Sequence, residues 1–292
     1  MSEVHDFIVV GSGCTGAMAA QTLIESGAKV AMLDVGNEDT EYSSQIPDKD
    51  YNSIRIEEKN QYKYLIGENF EGIPWGDLTT GAQLTPSRKY MVEQVDKYLS
   101  IDSKTFNPME SLALGGLGGG WGLGCCIYSK QEMEKVGLEV DSMLKAYLKI
   151  SERIGISGKK DDASPYTIGH LDNIHPAINI DENFQRINSR YLKSRRYFNK
   201  KGFYLGQPGL ALITKDMDER RAFRYLDMDF YSDKDKSAYR PWITISELKK
   251  NPKFLYIPKS LVIKFQEGTD EVIVICKNTE TQEEIRYKTK KL

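Results

Sequence analysis

"DFIVVGSGCTGAMAAQTLIESGAKVAMLDVGNE", Asp6 to Glu38, decides the fold of this 292-residue chain. Phe7, Ile8, Val9 and Val10 form an unbroken run of β-favouring apolar residues, the pattern of a parallel strand covered on both faces. Gly11, Gly13 and Gly16 follow with the spacing of a dinucleotide fingerprint. In such a turn the first glycine makes the bend, the second lets backbone approach a pyrophosphate, and the third lets helix and strand pack closely. With the intervening Ser12, Cys14 and Thr15 they form a candidate anion-binding turn. Ala17, Ala19, Ala20, Leu23 and Ile24 predict a helix with an apolar face, stopped at Gly27. An anion would meet that helix's N-terminus, where unpaired backbone N–H groups converge. Val30 to Leu33 predict a second strand. Asp34 stands eighteen residues after Gly16, near the spacing of a carboxylate that accepts from ribose hydroxyls, and an acid there disfavours a 2′-phosphate. Taken alone, the stretch leaves NAD and FAD unseparated.

The bulk properties narrow the partners. The chain is long enough for one large or two modest domains. A net charge of -2 and a pI near 6.1 offer no general attraction to nucleic acid or to an anionic membrane surface. Cys14, Cys125, Cys126 and Cys276 lack the spacing of a zinc site or a C-x-x-C pair, so reduced thiols and no metal are expected. The opening "MSEVHDF" carries acids before only four strongly apolar residues, the pattern of neither a signal peptide nor a membrane span, and predicts a soluble, cytoplasmic protein.

Beyond Gly36 the regular pattern stops for roughly seventy residues, a stretch expected to wrap over other parts of the molecule with short helices, for instance around Lys89 to Tyr98. "SLALGGLGGGWGLGCC", Ser111 to Cys126, has seven glycines in sixteen residues. Linkers favour Ser and polar residues, whereas this run carries Leu, Ala and Trp and reads as a second ligand-facing loop. Val140, Leu144, Tyr147, Leu148, Ile150 and Ile154 predict an amphipathic helix that starts at Asp141 or Ser142 and stops at Gly155 or Gly158. A further helix is predicted over Glu182 to Lys200, with "KSRR" as a solvated basic face, and another from Thr244 or Ser246 to Asn251-Pro252. Phe254 to Ile257, Ser260 to Gln266, Glu271 to Lys277 and Glu284 to Lys288 predict strands of an antiparallel meander.

The opening fingerprint ending "AMLDVG", the "LGGLGGGWG" loop, the helix "LKAYLKISERIGISG", the stretch "FRYLDMDFYSDKDKSAYRPWITISELKK" and the closing meander occur in the order seen in glucose-methanol-choline oxidoreductases. In that combination, over most of its length, the chain resembles this family and its pyranose-oxidase-like branch. The resemblance implies an α/β fold: an FAD-binding, Rossmann-like three-layer domain of the glutathione-reductase type with a β-meander, plus an incomplete α+β substrate or cap region. It implies an FAD-binding domain built from 1–36, 110–160 and 245–292, and cap or substrate-side segments at 37–109 and 161–244. Gly11, Gly13 and Gly16 match the pyrophosphate turn, and Asp34 matches the adenosine-ribose acid. Val262 matches the position whose backbone meets adenine, and Gly115, Gly116, Gly120, Trp121 and Gly122 match the loop beside the flavin. The branch attaches flavin through a histidine before this tryptophan. Here that residue is Gly120, so a non-covalent FAD is expected.

The resemblance implies an oxidoreductase that takes hydride from a CH–OH carbon of an alcohol or sugar onto FAD and passes electrons to oxygen or another acceptor. The family's catalytic histidine falls beyond Leu292, so the chain is expected to be a truncated flavin-binding portion, inactive alone and prone to self-association along an uncovered sheet edge. His5, expected before the first strand, and the expected loop histidines His170 and His175 match no catalytic position, so no catalytic residue is assigned. Two other readings are open: a non-catalytic nucleotide-binding or interaction protein, and an NAD-dependent dehydrogenase. The second is disfavoured because strands and helices do not alternate after Asp34.

Overall fold

The computed structural model describes residues 5–73, 84–99, 101–106, 108–169, 171–228 and 231–292. In chain order the first elements are β1 (His5–Val10), α1 (Cys14–Glu25), β2 (Val30–Leu33), α2 (Tyr51–Glu57), α3 (Tyr62–Leu65) and α4 (Val95–Tyr98). Then come β3 (Gly124–Cys125), α5 (Lys130–Lys135), α6 (Val140–Ile154), β4 (Ser157–Gly158), β5 (His175–Pro176), α7 (Glu182–Lys193), α8 (Arg195–Asn199) and β6 (Gly209–Leu210). The last are α9 (Pro241–Leu248), β7 (Phe254–Ile257), β8 (Ser260–Glu267), β9 (Val272–Asn278) and β10 (Glu284–Lys291). They group into two compact units: Met1–Trp121, Tyr225–Lys234 and Arg240–Leu292 form unit one, and Gly122–Arg224 with Asp235–Tyr239 form unit two. The segments drawn from the sequence cut across this division: described residues of 37–109 lie in unit one, and 122–160 lie in unit two.

Unit one is mixed α/β. Its six-stranded sheet runs β7-β2-β1-β10-β9-β8, with parallel pairing from β7 through β10 and antiparallel pairing from β10 to β8. The strands' period of two sorts their side chains to two faces. Phe7, Val9, Val30 and Met32 face α1 and α9 and pack with Ala20 and Ile245. Ile8, Ala31 and Leu33 face the other way and pack with Val272, Val274 and Cys276 of β9. Of the apolar run at the start of the chain, Phe7 and Val9 thus pack toward the helices and Ile8 toward the antiparallel extension, while Val10, at 48% exposed, is not covered as the sequence predicted.

Four further features depart from the sequence reading. Only β8, β9 and β10 form an antiparallel meander; β7 joins β2 in parallel, and β10 pairs with β1 in parallel, Lys291 opposite Phe7. The helix expected from Thr244 begins at Pro241, because proline at the first helical position gives up only an N–H that would be unpaired anyway. The helix expected over Glu182 to Lys200 breaks at Ser194 into α7 and α8. His5, expected before the strand, is its first residue.

Unit two is built around α6 and a four-stranded sheet, β3-β6-β4-β5, of two-residue strands. The Glu139 carboxylate caps α6, accepting from the N–H groups of Asp141 and Ser142, and Gly155 ends it at φ 69°. Arg220, 5% exposed, binds this unit together by donating to the carbonyls of Lys236 (2.9 Å), Ile154 (2.5 Å) and Ser237 (3.1 Å). Burial pulls its pKa down to about 10. Among the described residues no helix is long and apolar enough to cross a membrane.

Candidate functional site

The turn after β1 is a glycine cradle at a helix N-terminus. Gly13 is the N-cap of α1; no side chain caps that end, and the first turn holds no acid. The first N–H groups of α1 therefore keep their capacity for an anion. The glycines divide the labour. A Cβ on Gly16 would overlap the carbonyl oxygen of Gly11, so glycine here lets helix and strand close up. Among the described residues, a Cβ on Gly13 would meet nothing within 4 Å, which leaves space there for a ligand. Cys14 and Thr15, the first residues of α1, are exposed beside it.

The second glycine run lies against the first. After β2 the chain forms a parallel bridge between Asn37 and Ala113, with Asn37 N–H donating to the Leu112 carbonyl (3.0 Å) and Leu114 N–H to the Asn37 carbonyl (2.9 Å). Leu114 anchors in the core between α1 and α9. Gly115 and Gly116 then both take positive φ, 91° and 56°, which glycine adopts without the Cβ clash that penalises other residues. The Gly115 N–H donates to Ser12 Oγ at 2.8 Å, and a Cβ on Gly116 would lie 3.2 Å from Gly13 Cα. A Cβ on Gly118 would come within 2.5 Å of Pro241 Cγ and 2.8 Å of Cys14 Sγ. Two glycine segments about a hundred residues apart thus share one junction.

Asp34 ends β2 and is 7% exposed. Its Oδ2 accepts from Ser12 Oγ and from the Tyr256 hydroxyl of β7 (2.8 Å). Burial raises its pKa, an effect that the bonds from Ser12 and Tyr256 counter only in part. Burial, together with the Asp34 charge, likewise raises the Tyr256 pKa, so the phenol keeps its proton. Lys249 Nζ sits 4.2 Å from the Tyr256 ring centroid. The start of β8 adjoins the same point, with Ser260 N–H donating to the Asp34 carbonyl at 2.8 Å. Val262 is two residues further along and packs on the Ile8, Ala31 and Leu33 side of the sheet.

Behind the second loop lies a cluster that sequence reasoning missed. Arg88, 4% exposed, forms a two-pronged bond to Asp233 (2.6 and 2.9 Å). Arg240, 5% exposed, donates to the same carboxylate (3.4 Å) and to the Trp121 carbonyl (3.1 Å). Two guanidinium groups thus share the Asp233 carboxylate. Burial lowers the Arg240 pKa, with Asp233 opposing it. A Cβ on Gly119 would come 2.9 Å from the Tyr90 hydroxyl, and one on Gly120 2.5 Å from Met91 Sδ. Arg88 and Asp233 occur in polar stretches without periodicity; for Arg240 the only local signal was the proline after it.

Gly11 to Gly16, Asp34, Gly115, Gly116, Gly120 and Trp121 all fall in unit one, as does Val262, while Gly122 opens unit two. His5 is the first residue of β1, at the end opposite the turn, roughly 17 Å away for five residues of strand. His175 belongs to unit two, and His170 lies outside the described residues. Among the described residues no group of three His, Cys, Asp or Glu side chains is arranged to hold a metal ion. The chain matches no protein-family model and no curated protein.

Proposed function

We propose that unit one binds FAD non-covalently and is the flavin-holding part of an oxidoreductase that acts on a CH–OH group of an alcohol or sugar, as in the glucose-methanol-choline family that the sequence resembles. The observation that carries this reading is the junction of the two glycine segments, with Ser12 Oγ donating to Asp34 while accepting from Gly115 N–H. A nicotinamide site needs only the first segment; a second glycine face is what a longer ligand with a flat ring system would use.

The turn Gly11 to Gly16 and the N-terminal N–H groups of α1 would receive the pyrophosphate. Asp34, held by Ser12 and Tyr256, would accept from the adenosine ribose, and the start of β8 at Val262 would border adenine. Gly115, Gly116 and Gly120 would let backbone approach the isoalloxazine ring, beside the Trp121 carbonyl that Arg240 holds. Gly120 offers no atom for a covalent link. When bound, FAD supplies a hydride acceptor. No residue of this chain is assigned the substrate's proton.

The test is titration of the purified chain with FAD and with NAD, followed by flavin and tryptophan fluorescence. FAD should bind saturably, NAD at least about tenfold more weakly, and Gly13→Val should remove FAD binding while circular dichroism stays unchanged. Bound flavin should leave the polypeptide on denaturing gel electrophoresis. Tight NAD binding without FAD binding would defeat the proposal.

A further inference from the structure

Unit two contains a cavity of about 750 Å³ over β4, within the size range of sites for small organic molecules. Its walls are tied together independently of any ligand. Asp161 Oδ2 accepts from Gln207 N–H (2.8 Å), and Gln207 Nε2 donates to the Ile178 carbonyl (2.8 Å). Gly206 approaches Asp161 so closely that a Cβ there would overlap its carboxylate. On the α7 side, Asp162 accepts from the Tyr191 hydroxyl and pairs with Arg195 at 2.5 Å.

Inside this polar frame the lining is apolar, from Ile178, Ile180, Leu205, Leu210 and, on α7, Phe184 and Leu192. Phe184 and Leu192 are 60% and 54% exposed, apolar surface that a ligand would cover. Ser157 also lines the cavity. It is 1% exposed, pairs with Leu210 across the sheet, and its Oγ has no hydrogen-bond partner among the described residues. A buried hydroxyl without a partner is costly, and a ligand hydroxyl or carbonyl would supply one. The charges at the rim balance: Lys159, Lys160 and Arg195 against Asp161, Asp162 and Asp181. Asp162 is already paired with Arg195, and Lys160 pairs with Asp172. Taken together these six lining groups carry no net charge that would draw an ionic ligand.

We infer that this cavity binds a neutral, mostly apolar small molecule carrying a hydroxyl or carbonyl group. The inference is independent of the FAD reading, because every residue it uses belongs to unit two.

Nile red, neutral and carbonyl-bearing, is the probe, titrated into the full chain and then displaced with 1-dodecanol or with dodecanoate below their aggregation concentrations. The expected result is saturable binding at one site, displacement by the alcohol, and at least about tenfold weaker displacement by the carboxylate, whose charge would lose its hydration against the apolar lining. Leu192→Glu, on an already half-exposed position, should abolish binding. Ile187→Glu, 51% exposed on the same helix but outside the cavity, should not. Ser157→Ala should weaken binding about fivefold without lowering the melting temperature, since it deletes an unpartnered hydroxyl; a serine needed only for the fold would lower that temperature. Binding that is non-saturable, equally sensitive to Ile187→Glu, or matched by dodecanoate would overturn the inference.

Discussion

The two units solve the same problem, joining segments distant in sequence, by opposite means. In unit one the joint at the candidate site is made largely by missing side chains: Gly16 closes on Gly11, Gly116 on Gly13, and Gly118 on Pro241. Backbone is brought to backbone, and N–H groups are left facing an open space. In unit two the joints are long side chains reaching carbonyls: Arg220 to residues 154, 236 and 237, and Gln207 to residue 178. Closing by glycine leaves a surface that a phosphate or a ring can approach. Closing by guanidinium and amide consumes polar capacity and leaves a cavity whose interior is apolar.

The contrast is sharpest at Gly16. Gly16→Ala forces a Cβ into the Gly11 carbonyl and should cost about 4 kcal/mol or more, at the diagnostic end of single substitutions. Gly13→Ala, three residues earlier with open space in front of it, should cost no more than about 1 kcal/mol, the loss expected at an N-cap. Chemical denaturation of the two variants measures the difference, and equal losses would mean that the turn does not separate packing from ligand space.

In unit two, Arg220→Lys keeps the charge but cannot reach three carbonyls at once. With buried carbonyls left unpaired, it should cost about 3 kcal/mol in denaturant unfolding. A loss near zero would make the guanidinium dispensable and erase the contrast between the units.

Tyr256→Phe tests a side-chain joint at the glycine site. It removes a donor from Asp34, and should weaken FAD binding about threefold to tenfold while leaving the fold intact. Unchanged affinity would leave Ser12 as the sole side chain orienting that carboxylate.

The smallest effect is a pH dependence at Asp34. Its folded-state pKa is raised by burial, so the folded chain holds that proton more tightly than the unfolded chain does. The ionised carboxylate therefore detracts from stability at pH values above the raised pKa, and this penalty fades as pH falls through it and is gone below the ordinary carboxylate range. Asp34→Asn, which can still accept from Ser12 and Tyr256, should melt higher than the wild type at about pH 8 and alike at about pH 3. An advantage that grew toward acid would reverse the assigned direction.

What the sequence by itself determined is what local pattern encodes. The apolar run Phe7 to Val10, the glycine spacing and the strand before Asp34 are legible because a strand, a turn and a helix each impose a short period on adjacent residues. The end of α6 at Gly155, one of the two stops the sequence offered, and the extents of β7 to β9, to within a residue, were readable for the same reason. Only the tertiary structure decided which strands are neighbours. Nothing in "FLYI" announces that Tyr256 will lie beside Met32 and reach Asp34, and nothing in "EIRYKTKK" that its end will pair with β1. Backbone hydrogen-bonding groups are the same in every strand, so partner choice follows from which faces can be buried together. Nor could the grouping of Arg88, Asp233 and Arg240 be read, since a buried ion pair leaves no periodicity in the sequence and exists only once distant segments exclude water around it.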